Sequence, residues 1–501
     1  MVEAAKIGRI LIVGGGTAGW MTANYLTKFL ARVGCEITLI ESPRVATIGV
    51  GEATLPSLVR FVRNMGYDEK EFMRECNATY KLGIKFRDWI STGYSYWHPF
   101  GICGSFIDGQ DLFHFWHKYN NRGQYQYCDY SLQASIADAG KAPCNVSGSS
   151  SIIDAGAYAY HLDAAALANF LKTKAISAGV RYIHRDIDAV TVTNGYIKHV
   201  RTEDGTLHKA DLFIDCSGFN RMLISQLPDT GFVDWSDYLL CDRAVVATRP
   251  VDNVMHANTC STALGAGWCW QIPLANRTGC GYVYSSAHTS DELATAEFLS
   301  IIGTDTSNGT EPRYLQMPVG HATQFWTGNC VAIGLSGGFV EPLESTGIHF
   351  IQQGIEGLMD RFPDNVMHPV LQNSYNRMMI SSYEEIRDFI LLHYILSTRE
   401  DTSFWNDYRN IGIPDTLQEL LDIYDESGKL PDRRVRVFPD TSYYHILSGG
   451  RRLPRRPLPM VDVSDPGMVL QILQKIRMTN QKTVEALPLH SEYIRTLATS
   501  Y

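Results

Sequence analysis

The chain has 501 residues, of which 45% are hydrophobic and 19% charged, and it is long enough for two or three ordinary globular domains. Its formal net charge of −9 disfavours nucleic acid or an anionic membrane as a partner. The sequence contains no apolar run of about 20 residues and no signal peptide, so we expect a cytoplasmic protein. The 11 cysteines form no CxxC pairs, and we therefore expect neither a disulfide framework nor a bound metal.

A glycine-rich turn follows the first apolar stretch of the chain. Residues 10–13 read Ile-Leu-Ile-Val, which predicts a buried strand, and residues 21–30 predict a helix. Gly14, Gly16 and Gly19 lie between them, with the spacing that places a pyrophosphate at a helix N-terminus. The first glycine permits a tight turn, the second lets the backbone approach phosphate, and the third lets the helix pack on the strand. This pattern predicts a dinucleotide-binding unit.

A carboxylate, Glu41, ends the second apolar strand. An acid at this distance from the glycines is typical of one that accepts the ribose hydroxyls of a dinucleotide. The loop at 47–56 contains Gly51, Glu52 and Ala53. We interpret this loop as a strap over the cofactor, and an ordinary connecting loop is the alternative.

Two lysines lie in a stretch that alternates between polar and apolar residues from 80 to 89, as a strand does. Lys81 and Lys85 are four residues apart, so in a single strand both side chains would point to the same face. Solvated lysines are the simplest interpretation of such a pair. The following segment, 91–149, shows no clear helical period.

Later apolar stretches predict further strands. Residues 212–215 should return beside the first strand, and residues 182–200 should form a hairpin. Trp268 and Trp270 alternate along a strand that ends at Pro273, so both rings stand on one face. The two rings form either a rigid wall or ordinary core packing.

Residues 328–334 predict another buried strand that ends in a glycine turn at Gly334, with a helix further along the chain. The helix predicted for residues 351–362 follows Thr346 and Gly347, where main-chain N–H groups can hold an anion. Residues 157–175 are predicted to begin as a loop and to continue as a helix through the alanine-rich run. Helices are also predicted for residues 382–397, 416–424 and 468–476.

Taken together, these stretches resemble the flavin-dependent halogenases, in particular their tryptophan-halogenase branch. The sequence Trp-x-Trp-x-Ile-Pro at 268–273 resembles the motif that separates this family from flavin monooxygenases. The sequence Phe-x-x-Pro-x-x-Ser-x-Gly at 339–347 resembles its second signature. The lysine stretch and residues 388–405 are also similar to this branch.

The resemblance implies a mixed α/β fold, with a Rossmann-like FAD-binding domain of the flavin monooxygenase type and a mostly helical C-terminal substrate domain. We expect residues 1–90 and 150–365 to form the FAD-binding domain. Residues 91–149 would be an inserted segment that lines the substrate side, and residues 366–501 would form the C-terminal domain. The residues expected at the cofactor are Gly14, Gly16, Thr17, Ala18, Gly19, Glu41, Gly51, Glu52, Ala53, Gly334, Leu335 and Ile348.

The implied activity is the halogenation of an electron-rich, indole-like aromatic with FADH2, O2 and chloride or bromide. Hypohalous acid would be made at the flavin and delivered through a lysine, which the resemblance identifies as Lys81. Burial in a closed channel would lower the pKa of this lysine. A haloamine on the lysine and a hydrogen bond from it to hypohalous acid are alternatives.

The other site residues follow from the same resemblance. Glu344 would polarise hypohalous acid or accept the ring proton, and a purely structural ion pair is its alternative. Thr346 and Gly347 would hold the halide, and Trp268 and Trp270 would form the barrier that keeps the aromatic from the flavin. The residues expected at the substrate are His98, Pro99, Phe100, Ser345, Tyr443 and Tyr444.

The C-terminal segment departs from enzymes that halogenate free tryptophan, which hold the amino acid there with an acid and further bulky aromatics. After Tyr444 this chain has no acid before Asp462, which favours a simpler indole or a larger aromatic. No reductase domain for NADH is visible, so we expect a separate flavin reductase, and the family suggests a homodimer. An aromatic hydroxylase of the same fold and a flavin-binding protein without turnover are the alternative functions.

Overall fold

The structure is a computed structural model, and it describes residues 6–45, 51–120, 123–303, 311–432 and 436–499. The strands are β1 Arg9–Val13, β2 Glu36–Glu41, β3 Gly51–Ala53, β4 Thr79–Lys81, β5 Gly83–Arg87, β6 Ser95–Pro99, β7 Ala159–Asp163, β8 Arg181–His184, β9 Ile187–Thr193, β10 Tyr196–Thr202, β11 Leu207–His208, β12 Leu212–Asp215, β13 Phe232–Asp234, β14 Arg243–Arg249, β15 Thr259–Leu264, β16 Gly267–Pro273, β17 Thr278–Tyr284, β18 Arg313–Gln316, β19 Gly320–Ala322, β20 Trp326–Thr327, β21 Cys330–Ala332 and β22 Gly338–Phe339. The helices are α1 Thr17–Leu30, α2 Ser57–Met65, α3 Glu69–Glu75, α4 Leu112–Tyr119, α5 Leu132–Asp138, α6 Ser151–Ala155, α7 Ala164–Ser177, α8 Asp291–Ile302, α9 Gly347–Met359, α10 Pro369–Ile395, α11 Ser403–Asn410, α12 Asp415–Ser427, α13 Asp440–Gly449, α14 Pro466–Ala486 and α15 His490–Thr499.

The chain divides into two compact units, each assembled from three separate stretches. The first unit comprises Met1–Asn77, Leu162–Ser236 and Met317–Glu384. The second unit comprises Ala78–His161, Asp237–Gln316 and Glu385–Tyr501.

A largely parallel sheet forms the centre of the first unit, with the strand order β20-β21-β12-β1-β2-β8. Strand β1 pairs in parallel with β2 on one side and with β12 on the other, which confirms the predicted return of residues 212–215. Ile10, Leu11 and Ile12 are almost fully buried, as expected for a parallel strand covered on both faces. Helix α1 packs against α7 and α9.

A second sheet forms the centre of the second unit, with the strand order β18-β14-β17-β16-β15-β5-β6. Its strands pair antiparallel except for β5 and β15, which are parallel. One face packs on α8 through a core that includes Cys269, Tyr282 and Phe298. The tryptophans of β16 alternate with Cys269 and therefore stand on the opposite face.

The register of this sheet gathers three predicted site residues. Trp270 pairs with Ser261 of β15, and Thr259, two residues earlier on β15, pairs with Ile84. Ile84 in turn pairs with His98 on the edge strand β6. Directly paired residues share a face, as do alternate residues along one strand. Both tryptophans of β16 therefore stand on the same face as His98.

The division into units differs from the expected domain boundaries. Residues 237–316, which we expected in the FAD-binding domain, belong to the second unit. The reason is strand pairing, because β15 binds β5 from the early part of the chain rather than the sheet around β1. The first unit also continues beyond residue 365, to Glu384 within α10.

Three local predictions differ from the structure. The strand predicted for 80–89 is interrupted at Leu82 and contributes to two sheets as β4 and β5. Residues 159–163, predicted as a loop before a helix, form β7, and the segment 91–149 contains α4 and α5. Residues 47–50 of the predicted strap lie outside the described residues, and the strand β3 follows them.

The described helices include none with both the length and the apolar character needed to cross a bilayer.

Candidate active site

The first glycine motif forms a tight turn in front of α1. Gly14 has a φ of +116°, and a Cβ there would lie 2.1 Å from the carbonyl oxygen of Cys216. A Cβ at Gly19 would lie 1.9 Å from the carbonyl oxygen of Gly14. A Cβ at Gly16, in contrast, would meet no atom of the described residues within 4 Å. Two glycines thus permit close packing, and the third leaves open space at the start of the helix.

The start of α1 presents main-chain donors to this space. Its cap residue, Gly16, has no side chain that could accept from these donors, and the hydrogen bond from the Trp20 N–H to the Gly16 carbonyl is 3.1 Å long. The N–H groups of Thr17, Ala18 and Gly19 precede that bond, at the positive end of the helix dipole. Such a turn can hold a pyrophosphate.

Gly16→Val should weaken binding of the FAD expected from the sequence while leaving the fold intact. The φ of Gly16 is −79°, which any residue adopts, but the new side chain would enter the space in front of α1. We expect the Kd for FAD to rise about tenfold or more, with an unchanged melting temperature. Fluorescence titration of the apoprotein with FAD measures this change. Unchanged affinity would contradict the assignment of this turn to the FAD pyrophosphate. Gly14→Ala is the control, because its Cβ would clash with the backbone at Cys216, and it should lower the melting temperature.

The ribose acid predicted at the end of β2 is held by two residues that the sequence analysis missed. Glu41 Oε2 accepts hydrogen bonds from Lys172 Nζ at 2.8 Å and from the Tyr182 hydroxyl at 2.7 Å. Its Oε1 faces the glycine turn, since a Cβ at Gly15 would lie 2.2 Å from it. The carboxylate is therefore oriented toward the turn. Periodicity gave no signal for Lys172, which is 131 residues away in the chain.

The third strand and glycine turn pack against the first turn. Gly334 has a φ of +73°, and a Cβ there would lie 2.8 Å from the Cβ of Ala18. Asp215 is fully buried at the end of β12 and accepts hydrogen bonds from the hydroxyls of Ser217 and Ser336. These bonds fix the turn in which Leu335 lies. The structure thus brings the predicted cofactor residues of both turns together.

The start of α9 offers a second set of main-chain donors. Thr346 caps this helix without a side-chain hydrogen bond, and in the described part of the chain no atom lies within 4 Å of a Cβ built at Gly347. The Thr346 hydroxyl is buried and has no hydrogen-bond partner among the described residues. A φ of +62° at Ser345 turns the chain into the helix, and Ile348 follows in its first turn. A small anion suits this combination of weak donors.

Two acids of the first unit have buried or partly buried carboxyl groups. Glu344 ends the short 3-10 helix Pro342–Glu344 and is fully buried. Glu52 lies between Gly51 and Ala53 on β3 and is half-buried, and burial raises its pKa to about 7. Desolvation disfavours the charged form of an acid, so Glu52 carries a proton for part of the physiological pH range.

The two lysines of the early strands have different surroundings. Lys81 is fully buried at the end of β4, and its Nζ lies 5.1 Å from the ring centroid of Phe100. Lys85 is on β5, with its Nζ 2.5 Å from Asp138 and 5.4 Å from the ring of Trp97. The interruption of the strand separates the two side chains, which the sequence analysis placed on one face. Lys81 is therefore not a solvated lysine.

An aromatic cluster surrounds His98. Phe389 lies 5.5 Å from the ring of His98 and 4.8 Å from the ring of Tyr443, centroid to centroid. Phe438 stacks on Phe389 at 4.1 Å. The structure thus places the predicted substrate residues His98 and Tyr443 in one cluster. Pro99 pairs with Gly83 and ends the same strand, and Phe100 follows it.

Tyr444 belongs to a different cluster. Its ring stacks on Phe113 at 4.3 Å, and its hydroxyl lies 3.4 Å from the Nε2 of His114. Tyr443 instead donates to Glu385, which also accepts hydrogen bonds from the N–H groups of residues 437 and 438. The sequence analysis missed Glu385, a buried acid beside the predicted substrate residues. Its carboxylate accepts hydrogen bonds from backbone N–H groups.

The two tryptophans of β16 form one wall. Their ring centroids are 5.9 Å apart, and both side chains are buried. The ring of Trp270 lies directly on Gly281, where a Cβ would be 2.1 Å away. The indole nitrogen of Trp270 is buried without a hydrogen-bond partner in the described part of the chain. The glycine opposite therefore leaves the room that this ring needs to lie flat on the strand.

Buried neutral histidines should make the protein sensitive to acid. Desolvation lowers the pKa of His490 to about 4, so below pH 6.5 the unfolded chain binds a proton that the native state does not. We expect this residue alone to reduce the free energy of unfolding by about 2 kcal/mol between pH 6.5 and 5. Urea unfolding of the protein and of His490→Gln at both pH values measures the difference. An equal pH dependence in the two proteins would contradict the prediction.

Comparison with known proteins places the chain in a family. A sequence model described as tryptophan halogenase matches residues 9–466. The chain belongs to the tryptophan halogenase family. Tryptophan 6-halogenase SttH of Streptomyces toxytricini is 37% identical, over 97% of each chain. Tryptophan 7-halogenase RebH of Lentzea aerocolonigenes is 36% identical, over 98% of this chain and 99% of its own.

A solved structure of the family has the same fold. Xcc4156, a flavin-dependent halogenase from Xanthomonas campestris, superposes with a TM-score of 0.93 at 37% identity and covers 99% of each chain. The predicted resemblance and the predicted mixed α/β fold are therefore confirmed. The prediction that the chain is a halogenase-class oxidoreductase of this family is confirmed as well.

Proposed function

We propose that this tryptophan halogenase uses FADH2, O2 and a halide to make hypohalous acid, which Lys81 delivers to an indole-like aromatic. The buried amine of Lys81 carries this proposal, because a lysine fully removed from solvent and placed over the ring of Phe100 has no role as a surface charge. Burial favours the neutral, nucleophilic form of an amine.

The turn Gly14–Gly19 would hold the FAD pyrophosphate, and Glu41 would accept the ribose hydroxyls. Both assignments rest on the open space at Gly16 and on the orientation of Glu41 toward the turn. When bound, reduced FAD and O2 supply the oxidising equivalents that convert a halide ion into hypohalous acid. The family relationship supports a flavin cofactor, and we propose that a separate reductase supplies it in reduced form.

The halide would lie at the start of α9. A chloride or bromide ion accepts hydrogen bonds from weak donors. The N–H groups of Thr346 and Gly347 are such donors, as is the hydroxyl of Thr346, which has no partner among the described residues. The tryptophan wall of β16 would exclude water and keep the aromatic ring away from the oxidant. Glu344 would orient hypohalous acid and accept the proton that leaves the halogenated ring.

The aromatic substrate would contact His98 and its neighbours on the edge strand. SttH and RebH are named for halogenation of tryptophan at different positions. This chain lacks an acid in the segment after Tyr444, and the nearby Glu385 is held by backbone N–H groups. We therefore propose an indole without the free amino-acid group, or a larger aromatic, as substrate.

Mass spectrometry of the products tests the proposal. The protein is incubated with indole, bromide, O2, FAD and a separate flavin reductase with NADH, and a parallel reaction omits bromide. A product with the isotope pair of bromine, absent from the parallel reaction, is the expected result. An oxygenated product that forms without bromide would instead identify an aromatic hydroxylase, and bound FAD with no product at all would identify a flavin-binding protein without turnover.

A further inference from the structure

The two residues before Lys81 are held by buried histidines from distant parts of the chain. Thr79 donates a hydrogen bond to the carbonyl of Pro273 at 2.6 Å, and its oxygen lies 3.2 Å from the Nδ1 of His161. The Tyr80 N–H donates to the Nε2 of His490 at 3.3 Å. Four separate elements, β4, β7, β16 and α15, therefore meet beside Lys81.

The hydrogen bonds around His161 have only one consistent direction. The single proton of the Thr79 hydroxyl goes to Pro273, so Thr79 must accept from an N–H at Nδ1 of His161. The Nε2 of a neutral imidazole is then an acceptor, and it lies 3.0 Å from the hydroxyl of Thr259. His161 is fully buried, and desolvation keeps its pKa well below the usual value. The ring is therefore a neutral connector with both nitrogens used.

The network connects the lysine strand to the strand that carries the tryptophans. Thr79 and Lys81 are two residues apart on β4 and point to the same face. Pro273 ends β16 three residues after Trp270, and Thr259 begins β15, the neighbour of β16. Beyond Lys81, the N–H of Leu82 donates to a backbone carbonyl at residue 257. Lys81 thus stands at the interruption between β4 and β5, with hydrogen bonds fixing the chain on both sides.

From these contacts we infer that Thr79 and His161 are positioning residues for Lys81, and that His490 supports them from the opposite side of the strand. They do not contact the reacting atoms in this assignment. Their role is to fix the position of the Lys81 amine relative to the side chains of Trp268 and Trp270. The inference rests on the proposed role of Lys81 in delivery.

Thr79→Val tests the inference, because valine keeps the shape of threonine and removes the hydroxyl that joins Pro273 to His161. We expect kcat for indole bromination to fall about tenfold, with KM for indole unchanged. The fraction of oxidised bromide captured by an added scavenger should rise, since a misplaced amine fails to intercept hypohalous acid. Thr79→Ser, which keeps the hydroxyl, should restore both values.

Thr278→Val is the matched control. Thr278 is a buried residue of β17 and pairs directly with Pro273 of β16. Its hydroxyl has no hydrogen-bond partner within the described residues. Replacing it should change neither kcat nor the scavenged fraction. If Thr79→Val behaves like Thr278→Val, the inference is wrong. If Thr79→Val does not fold, Thr259→Val, which removes the partner of the other ring nitrogen, is expected to raise the scavenged fraction, and a wild-type fraction would overturn the inference.

A parallel assay of Lys81→Ala separates this inference from the proposed function. Full bromination by Lys81→Ala would show that delivery does not use Lys81, whatever the result at Thr79. An inactive Lys81→Ala together with a wild-type Thr79→Val would leave the proposed function standing and overturn only the positioning role.

Discussion

Lys81→Ala should lower the rate of indole bromination by about 10²- to 10⁴-fold, the range expected when a group that acts directly in catalysis is removed. The amine is fully buried and lies over the ring of Phe100, and alanine provides no atom that can bind or accept an electrophilic halogen. FAD affinity and the rate of FADH2 oxidation should remain unchanged. Steady-state kinetics with indole and bromide, together with oxygen consumption, measure both quantities.

Lys85→Ala is the control for this prediction. Lys85 lies four residues later but pairs with Asp138, whose side chain is half exposed. An ion pair of this kind contributes about 0–1 kcal/mol to stability, and the bromination rate should stay within about twofold of the wild type. An equal loss of bromination rate in the two variants would show that the rate depends on positive charge near β5 and not on the buried amine of Lys81.

Glu344→Gln should lower the bromination rate by about 10²-fold. Glutamine has the shape of glutamate and keeps one oxygen, but it neither carries a negative charge nor accepts the ring proton. Because Glu344 is fully buried, water cannot readily replace it. The expected loss is in kcat, with little change in KM for bromide, and it is measured with indole and bromide at saturating concentrations.

Glu356→Gln is the control for Glu344. Glu356 lies on α9 in the same unit and forms a surface ion pair with Arg60. Its replacement should have no measurable effect on turnover. A Glu344→Gln variant with wild-type kcat and a lowered melting temperature would identify Glu344 as a structural acid.

The parallel sheet of the first unit and its glycine turn were predictable because their determinants are local. A strand, three glycines and a helix occupy consecutive residues, and the structure places Gly14 and Gly19 in close contacts that only glycine permits. The two tryptophans of β16 were also predictable as neighbours on one face, since alternation along a strand fixes that relation.

Contacts between distant residues were not predictable from periodicity. Nothing in the alternation of residues 80–89 indicates the interruption at Leu82, which depends on pairing with β7 and β15. His490 contacts the strand of Lys81 across 410 positions of the chain, and Lys172 reaches Glu41 across 131. Such partners are chosen by the tertiary fold, and a single sequence carries no local signal for them.

The fate of oxidised bromide in the wild type and in Lys81→Ala tests the central claim most directly. Each protein is supplied with FADH2, O2, bromide, indole and an added scavenger of hypohalous acid, and the brominated indole and brominated scavenger are quantified together. We predict mainly brominated indole from the wild type and mainly brominated scavenger from Lys81→Ala, with the same total. Brominated indole in equal amounts from both proteins would contradict delivery through the buried lysine.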